Sequence, residues 1–494
     1  MGSLFLFVIF VDVLLIIKKA EKDGTFRLFH GSIYTYFSIE RTKIQGNPSK
    51  KGRFLAEKFN NGFNSETIEG LARETGFTKR KPKLKAHQLF ESLMFAHQQG
   101  KFLSLMDICA DLLEEHGIQI TKQGVNERFS SEAVLFFNRI LGHLLSTEFN
   151  ECKNVERLSC FNRVRIKDST KFALPRAFAE KYKGYGGVLA NSEAMISIQY
   201  EYDLLSGKTM DLRLTDGRKN DQSDSRDFTQ DIQKDDLFIR DLGYCTLTYL
   251  EKIRGEGAFF VNRLSSQTNV YSDKDAVAID FDKYRKKIKK FKLPQIELEV
   301  FVGKNAQIPC RLIIMPVDDA TYEKRIRKTA KQAKSTGNNI SGEFKTRSRL
   351  NLFITNIPEK DMDAGKIREI YTLRWQIELI FRVWKSQARI NEIKEMKLER
   401  FECQLLSKLI WLLINWRIFK WLNDQVFGKH GKLCSVWKFY KYASLISQKI
   451  RKALKNTDQM EKILIRSLEI APRQFKLEKK KDKLSQNETF TLLT

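Results

Sequence analysis

The sequence predicts an α/β protein, a mixed sheet with a β-rich insertion, preceded by a helical region. Three observations lead to it. From Phe63 to about Phe149 apolar residues recur at helical spacing. From Val164 the period changes to two, and after Leu237 short apolar strands alternate with helical segments. A second strand-rich block, residues 265–362, interrupts that alternation. With 494 residues, 42% hydrophobic and 30% charged, the chain can bury a sizeable core over two or three domains.

Residues 1–62 read as an N-terminal extension and basic linker ("NPSKKGRF"). The apolar run Leu4–Ile17 is short for a bilayer span and is broken by Asp12. Lys18 and Lys19 follow it, whereas a signal peptide carries its positive charge in front. A non-essential extension without stable membrane association is expected, since the next methionine is Met94.

Residues 63–150 form the helical region, expected to bind DNA. Ser65 is the expected N-cap of its first helix. A break at Gly117 and a short helix capped by Thr121 form a helical hairpin, which as a helix-turn-helix would turn Lys122, Gln123, Asn126 and Arg128 to DNA. Residues 151–264 begin the sheet. "RVRIKD" puts Val164, Ile166 and Asp168 on one face, and "MISIQYEYDLLSGKTMDLRLTDG" gives two strands turning at Ser206-Gly207. The polar helix "DQSDSRDFTQDIQ", the strand "LFIRD", the helix "TLTYLEKIRG" and the strand "AFFVNRL" follow. The insertion, 265–362, holds the strands "QIELEVFVG" and "RLIIMPV" and the basic runs "YRKKIKKFK" and "KRIRKTAKQAK". Residues 363–428 return to helix. Their last segment, "QLLSKLIWLLINWRIFKWL", is apolar nearly all round and reads as core because it contains Lys408, Asn415 and Arg417. Residues 429–494 form a basic C-terminal helical region and tail.

Net charge +27 calls for a polyanionic partner, nucleic acid first, because each neutralised phosphate releases counterions. Seven cysteines without a C-x-x-C pair suit reduced, mostly buried thiols in a cytosolic protein, with no disulfide framework or zinc site. The six histidines show no H-x-x-x-H pair.

One stretch combines an apolar helix with an unexpected polar line. In "YTLRWQIELIFRVWKS", Tyr371, Arg374, Glu378 and Lys385 fall within about 60° of arc on a single helix, bordered by Leu373, Ile377, Ile380, Phe381 and Trp384. Asp168 and Asp241 each close a strand on its apolar face, so on neighbouring strands both emerge at one sheet edge. Three hard oxygen ligands favour Mg²⁺ or Mn²⁺ over zinc. Each residue also has a purely structural reading, as a strand-end turn for either aspartate and as a salt bridge to Arg374 or Arg382 for Glu378. The joint order of two strand-terminal aspartates and a helical glutamate among bases is what points to chemistry.

In that joint pattern the sequence resembles the DDE transposases of bacterial insertion sequences, the IS-four family, whose signature Y-x2-R-x3-E-x6-K is met without gap by Tyr371, Arg374, Glu378 and Lys385. "IKDST" and "IRDLGY" resemble the family's two aspartate motifs, and "KGYGG" and "FFVNRL" match stretches between them. The likeness runs from about Phe63 to Leu422. It implies an RNase H-like core with its β-rich insertion before the last acid, and a cut-and-paste reaction through a DNA hairpin. Asp168, Asp241 and Glu378 are then the catalytic metal ligands, holding two Mg²⁺ or Mn²⁺ ions. Tyr371, Arg374 and Lys385 are the phosphate contacts. The implied partners are transposon terminal inverted repeats, target DNA and a second copy of the chain in the synaptic complex, in the bacterial cytoplasm at the nucleoid. Tyr271 and Tyr284 are candidates for flipping a base. "KGYGG" lacks the GK[ST] of a phosphate loop, so no nucleotide hydrolysis is expected. Two alternatives share part of the pattern. A DNA-binding regulator needs no acids, and an RNase H-like nuclease or resolvase needs no Y-R-E-K line.

Overall fold

The computed structural model describes residues 48–477, apart from 81, 97–99, 148–157, 159, 187–192, 228–230, 266, 275–276 and 337–338. The apolar run Leu4–Ile17, Cys152 and the tail beyond 477 lie outside the described residues.

Nine strands form one sheet: β1 (Arg163–Ala173), β2 (Met195–Asp203), β3 (Thr209–Asp216), β4 (Asp236–Arg240), β5 (Phe259–Arg263), β6 (Val270–Tyr271), β7 (Ile296–Val302), β8 (Ile308–Pro316) and β9 (Leu350–Thr355). Their order is β3-β2-β1-β4-β5-β9-β8-β7-β6. β1, β2 and β3 are antiparallel neighbours, while β4 and β5 run parallel to β1. This is the expected RNase H-like half. The β2–β3 turn falls at Gly207, whose φ of 72° suits glycine. β6 to β9 continue the sheet antiparallel beyond β5, so the strands of the insertion extend the core sheet. β9 joins the two halves, and the sequence reading had no strand there. Its alternation sends Leu350, Leu352 and Ile354 to one apolar core and Phe353 to the other.

Those two cores cover opposite faces. Val164, Ile166, Leu237 and Ile239 face the larger one, which contains the signature helix Trp375–Ser386 and the helix Leu398–His430. Phe238, Phe260, Val300, Leu312 and Ile314 face the smaller one, closed by helices Leu247–Gly255 and Phe281–Phe291. The 33-residue Leu398–His430 helix is buried around most of its circumference, as its composition implied. Its polar residues bond to main chain within the fold, Lys408 to Ala388 O at 3.0 Å and Arg417 to Leu144 O at 3.0 Å. Among the described residues no helix is long and apolar enough to cross a membrane.

Several local expectations change. "PSKKGRF" is the start of a helix, Pro48–Phe63, because Leu55, Phe59 and Phe63 recur every four residues and are buried. Asn64 caps the next helix in place of Ser65, its side chain accepting the Thr67 N–H at 2.8 Å. The basic runs are helices, Phe281–Phe291 and Asp319–Thr336. In the hairpin, Thr121 caps as expected and Gly117 ends its helix at φ 64°. Arg128, however, lies over the Phe77 ring at 4.5 Å, half-buried, while Lys122 and Gln123 stay exposed. Tyr284 packs against the smaller core, and Tyr271 pairs with Phe301 in the β6–β7 ladder. Of the described cysteines, Cys310, Cys403 and Cys434 are buried, Cys109 and Cys245 half-buried and Cys160 exposed, all as free thiols.

Candidate active site

Parallel pairing of β1 and β4 sets the first two acids side by side. The ladder ends at Lys167 opposite Arg240, so Asp168 and Asp241 occupy the next step on adjacent strands. Asp241 does close β4, leading into a 3₁₀ turn at Leu242–Tyr244. Asp168 does not close β1. The strand runs on to Ala173 because β2 keeps pairing with it, Asp168 opposite Tyr200 and Ala173 opposite Met195. The Ser169 N–H donates to Asp168 Oδ1 at 2.8 Å, and the Ser169 hydroxyl donates to Asp221 Oδ1 at 2.9 Å. Asp221 also lies against Gly243, where a Cβ would come within 2.9 Å of its Oδ2. A side chain at position 243 would therefore press on the Asp221 carboxylate.

The third acid comes from a segment that is not one helix, as the spacing suggested. Tyr371 belongs to the helix Ala364–Thr372, and the signature helix starts only at Trp375. The junction is tightened by i→i−3 bonds, Arg374 N–H to Tyr371 O at 3.2 Å and Gln376 N–H to Leu373 O at 2.9 Å. The first helix ends at this turn, and the Tyr371 ring packs edge-on against Phe353 of β9 at 5.3 Å. Burial pushes its phenol up, with Asp241 adding to the rise. Arg374, Glu378 and Lys385 remain on the side facing β1. Their aim is set by the flanking apolar residues, where Ile377, Ile380, Phe381 and Trp384 are buried, Trp384 at 4.9 Å from Tyr200 of β2.

All three acids meet at one guanidinium. Arg374 Nη2 donates to Glu378 Oε1 at 2.7 Å and Nη1 to Asp168 Oδ2 at 3.3 Å, while Nε stands 3.6 Å from Asp241 Oδ1. The guanidinium is 14% exposed and the Asp168 side chain 17%, against 35% for Glu378 and 44% for Asp241, so the cluster opens to solvent on the side of the last two. Burial pushes the Asp168 carboxyl up to about 7, with Asp241 and Asp221 adding to the rise, against the Ser169 N–H and Arg374. Burial alone would lower the Arg374 guanidinium, but Asp241, Tyr371 and Asp168 outweigh it and hold it above its ordinary value.

Beside the acids lies a cleft of about 480 Å³, lined by Asp168, Ser169, Glu378, Arg382 and Lys385 among others. Lys385 Nζ donates to the Lys171 carbonyl at 3.1 Å, and burial lowers its ammonium. Lys171, three residues after Asp168, is itself anchored on the Gly217 and Lys219 carbonyls at 3.0 and 2.8 Å. Neither Lys171 nor Asp221 stood out in the sequence. The only signal for Asp221 was the density of acids in "DQSDSRD".

Behind this face, the other side of the sheet buries charge. Arg165 and Lys167 alternate with the apolar residues of β1 and turn the other way. Glu201 Oε1 receives Arg165 Nε at 3.0 Å and Arg240 Nη2 at 3.1 Å, and Lys167 meets Asp211 at 3.1 Å and Asp224 at 2.6 Å. These bonds link β1, β2, β3 and β4 directly under Asp168 and Asp241.

Among the described residues, no group of three acid, imidazole or thiol side chains stands at metal-holding spacing. The donor set is nevertheless three carboxylates, which suits Mg²⁺ or Mn²⁺. A positive group, the Arg374 guanidinium, already stands among them.

Residues 159–414 match the family described as Transposase DDE domain, a span that includes both aspartates and the signature helix. The chain is 30% identical over 425 residues to the transposase for insertion sequence element IS231B of Bacillus thuringiensis subsp. berliner, covering 82% of this chain and 87% of that one. It is 29% identical over 392 residues to the transposase for insertion sequence element IS1151 of Clostridium perfringens, covering 74% and 80%. A solved piggyBac transposase synaptic complex with hairpin DNA aligns over 88% of this chain at TM-score 0.40 and 9% identity, a likeness too slight to bear an argument.

Proposed function

The chain belongs to the DDE transposase family, enzymes that cleave DNA and transfer its strands, and on that premise we propose that it moves an insertion-sequence element by cut-and-paste. The observation that carries the reading is the meeting of Asp168, Asp241 and Glu378, drawn from three distant parts of the chain, around Arg374 beside an open cleft that also holds Arg382 and Lys385.

In this reading Asp168, Asp241 and Glu378 hold two Mg²⁺ or Mn²⁺ ions. When bound, such ions supply a nucleophilic water at neutral pH and stabilise the leaving oxygen of a phosphodiester. Lys385, Arg374 and Tyr371 grip the phosphates beside the scissile bond, Lys385 as a compact ammonium steadied by the Lys171 carbonyl. The apolar underside of the signature helix fixes that grip against β2. Water attacks the phosphorus at the element's end and releases a 3′-hydroxyl. That hydroxyl attacks the phosphodiester facing it on the opposite strand, closing a hairpin on the element's end and releasing the flanking strand with its own 3′-hydroxyl. A second hydrolysis opens the hairpin, and the same 3′-hydroxyl then attacks target DNA. Residues 151–264 and 363–428 form the catalytic core, and 63–150 bind the terminal repeats. The insertion 265–362 lays its basic helices along the duplex, the described part of the C-terminal region, 429–477, buttresses the core, and two copies hold two ends together.

The test is Glu378→Gln, which keeps shape and removes the charge. Divalent-dependent nicking of an end duplex by the parent should fall by several orders of magnitude, while gel-shift affinity persists. Cutting by the variant at near-parental rate would remove Glu378 from the catalytic set.

A further inference from the structure

We propose that Arg374 is a built-in counter-cation, holding the three acids together in the DNA-free protein and yielding its place to divalent metal when a DNA end arrives. The proposal rests on the assignment of Asp168, Asp241 and Glu378 as metal ligands and adds a coupling between metal and DNA at that site.

The argument starts from what each acid touches. One oxygen of each faces the same guanidinium, through three different nitrogens, at 2.7, 3.3 and 3.6 Å. Those are oxygens a metal ion would also need, at about 2.0–2.2 Å for Mg²⁺. A buried guanidinium and a divalent ion cannot share the centre of the cluster, because like charges repel and the ion would have to stand where the guanidinium stands. Without any cation, three partly buried carboxylates would repel one another, which gives the arginine a structural purpose in the empty protein. Arg374 also has somewhere to go. It sits at the tightened junction before the signature helix, beside the Asp168 and Glu378 end of the cleft and about three turns from Lys385, and a planar fork matches phosphate as well as it matches carboxylate. A DNA phosphate in the cleft draws the guanidinium off the acids and frees their oxygens. Metal and end DNA therefore favour each other, and by linkage each raises the affinity of the other.

The measurement is Mn²⁺ binding by the full chain, read from the electron paramagnetic resonance signal of free Mn²⁺, with no cleavage involved. Parent, Arg374→Gln and Glu378→Gln are titrated with Mn²⁺ alone, and parent and Arg374→Gln again with an uncleavable end duplex. Without DNA, Arg374→Gln should bind Mn²⁺ about tenfold or more tighter than the parent. The duplex should tighten the parent by a similar factor and change Arg374→Gln little, while Glu378→Gln should bind more weakly than either. If Arg374→Gln binds no tighter than the parent while Glu378→Gln loses affinity, the acids hold metal but the counter-cation role is wrong. If Glu378→Gln binds like the parent, the acid assignment fails and the proposal with it. Should Arg374→Gln lose its fold by circular dichroism, the parent decides alone: a duplex that leaves its Mn²⁺ affinity unchanged overturns the coupling.

Discussion

Glu201→Gln tests whether the buried charges under the two aspartates are a structural support. Glu201 is 1% exposed, and its Oε1 takes hydrogen bonds from Arg165 and Arg240. Burial opposes its charge, yet Arg165, Arg240 and Lys167 outweigh burial and hold the carboxyl far below the usual range. The amide keeps the volume and leaves two buried guanidiniums facing a neutral group. Arg165 retains Asp231 and Asp236 at 3.5 and 3.8 Å, whereas Arg240 is left to the faces of Tyr249 and Phe238. Leaving a buried charge without its counter-ion costs about 3–5 kcal/mol, a large part of a typical total of about 5–15. Urea denaturation at pH 7 should show the midpoint falling with little change in slope. The pH dependence follows from the sign of the shift. A depressed folded-state value means that Glu201 stabilises fully above its unfolded value of about 4.3 and loses that stabilisation as pH falls through the folded value. The gap between parent and variant should therefore be flat above about pH 5 and shrink under acid. A variant within about 1 kcal/mol of the parent at pH 7 would refute the reasoning.

Lys385→Ala should weaken binding of end duplex and reduce the slope of log K against log salt by about one phosphate, close to 0.9; an unchanged slope would place Lys385 off the backbone. Lys408, whose ammonium burial pushes down to about 7, gives a second pH signature. Because its folded value lies below its unfolded one, the unfolded chain binds more protons between pH 7 and about 10, and stability rises with pH there by up to about 4–5 kcal/mol. The Gly100 and Ala388 carbonyls and the Phe102 ring at 3.8 Å favour the charged form and make that figure an upper bound. Lys408→Met should lack this rise when both proteins are melted across the same pH series; parallel curves would mean the lysine titrates normally.

Period-two alternation made the sheet face of Asp168 and Asp241 legible, since Val164–Ile166 and Leu237–Ile239 had to point at one core. The apolar flank of the signature helix was legible for the same reason at the helical period. What the sequence could not show depends on partners distant in the chain. β1 runs past Asp168 only because β2 continues beside it, and the Tyr371–Lys385 stretch is two helices because main-chain bonds tighten the turn at Arg374. Arg165, Lys167 and Glu201 read as ordinary polar strand residues, yet they are buried because their counter-ions arrive from neighbouring strands. The strand "LNLFIT" was visible in principle from its alternating Leu350, Leu352 and Ile354. The arrival of Asp168 and Asp241 at Arg374 belongs to the tertiary fold, whereas its bond to Glu378 is an i,i+4 contact that the helix itself allowed.

The most direct measurement is anomalous diffraction from crystals of the chain with uncleaved end DNA and Mn²⁺. The account predicts Mn²⁺ peaks within bonding distance of Asp168, Asp241 and Glu378, with Arg374 and Lys385 on phosphate oxygens next to the scissile bond. Mn²⁺ bound elsewhere, with the three carboxylates still gathered on the Arg374 guanidinium in the presence of DNA, would contradict it.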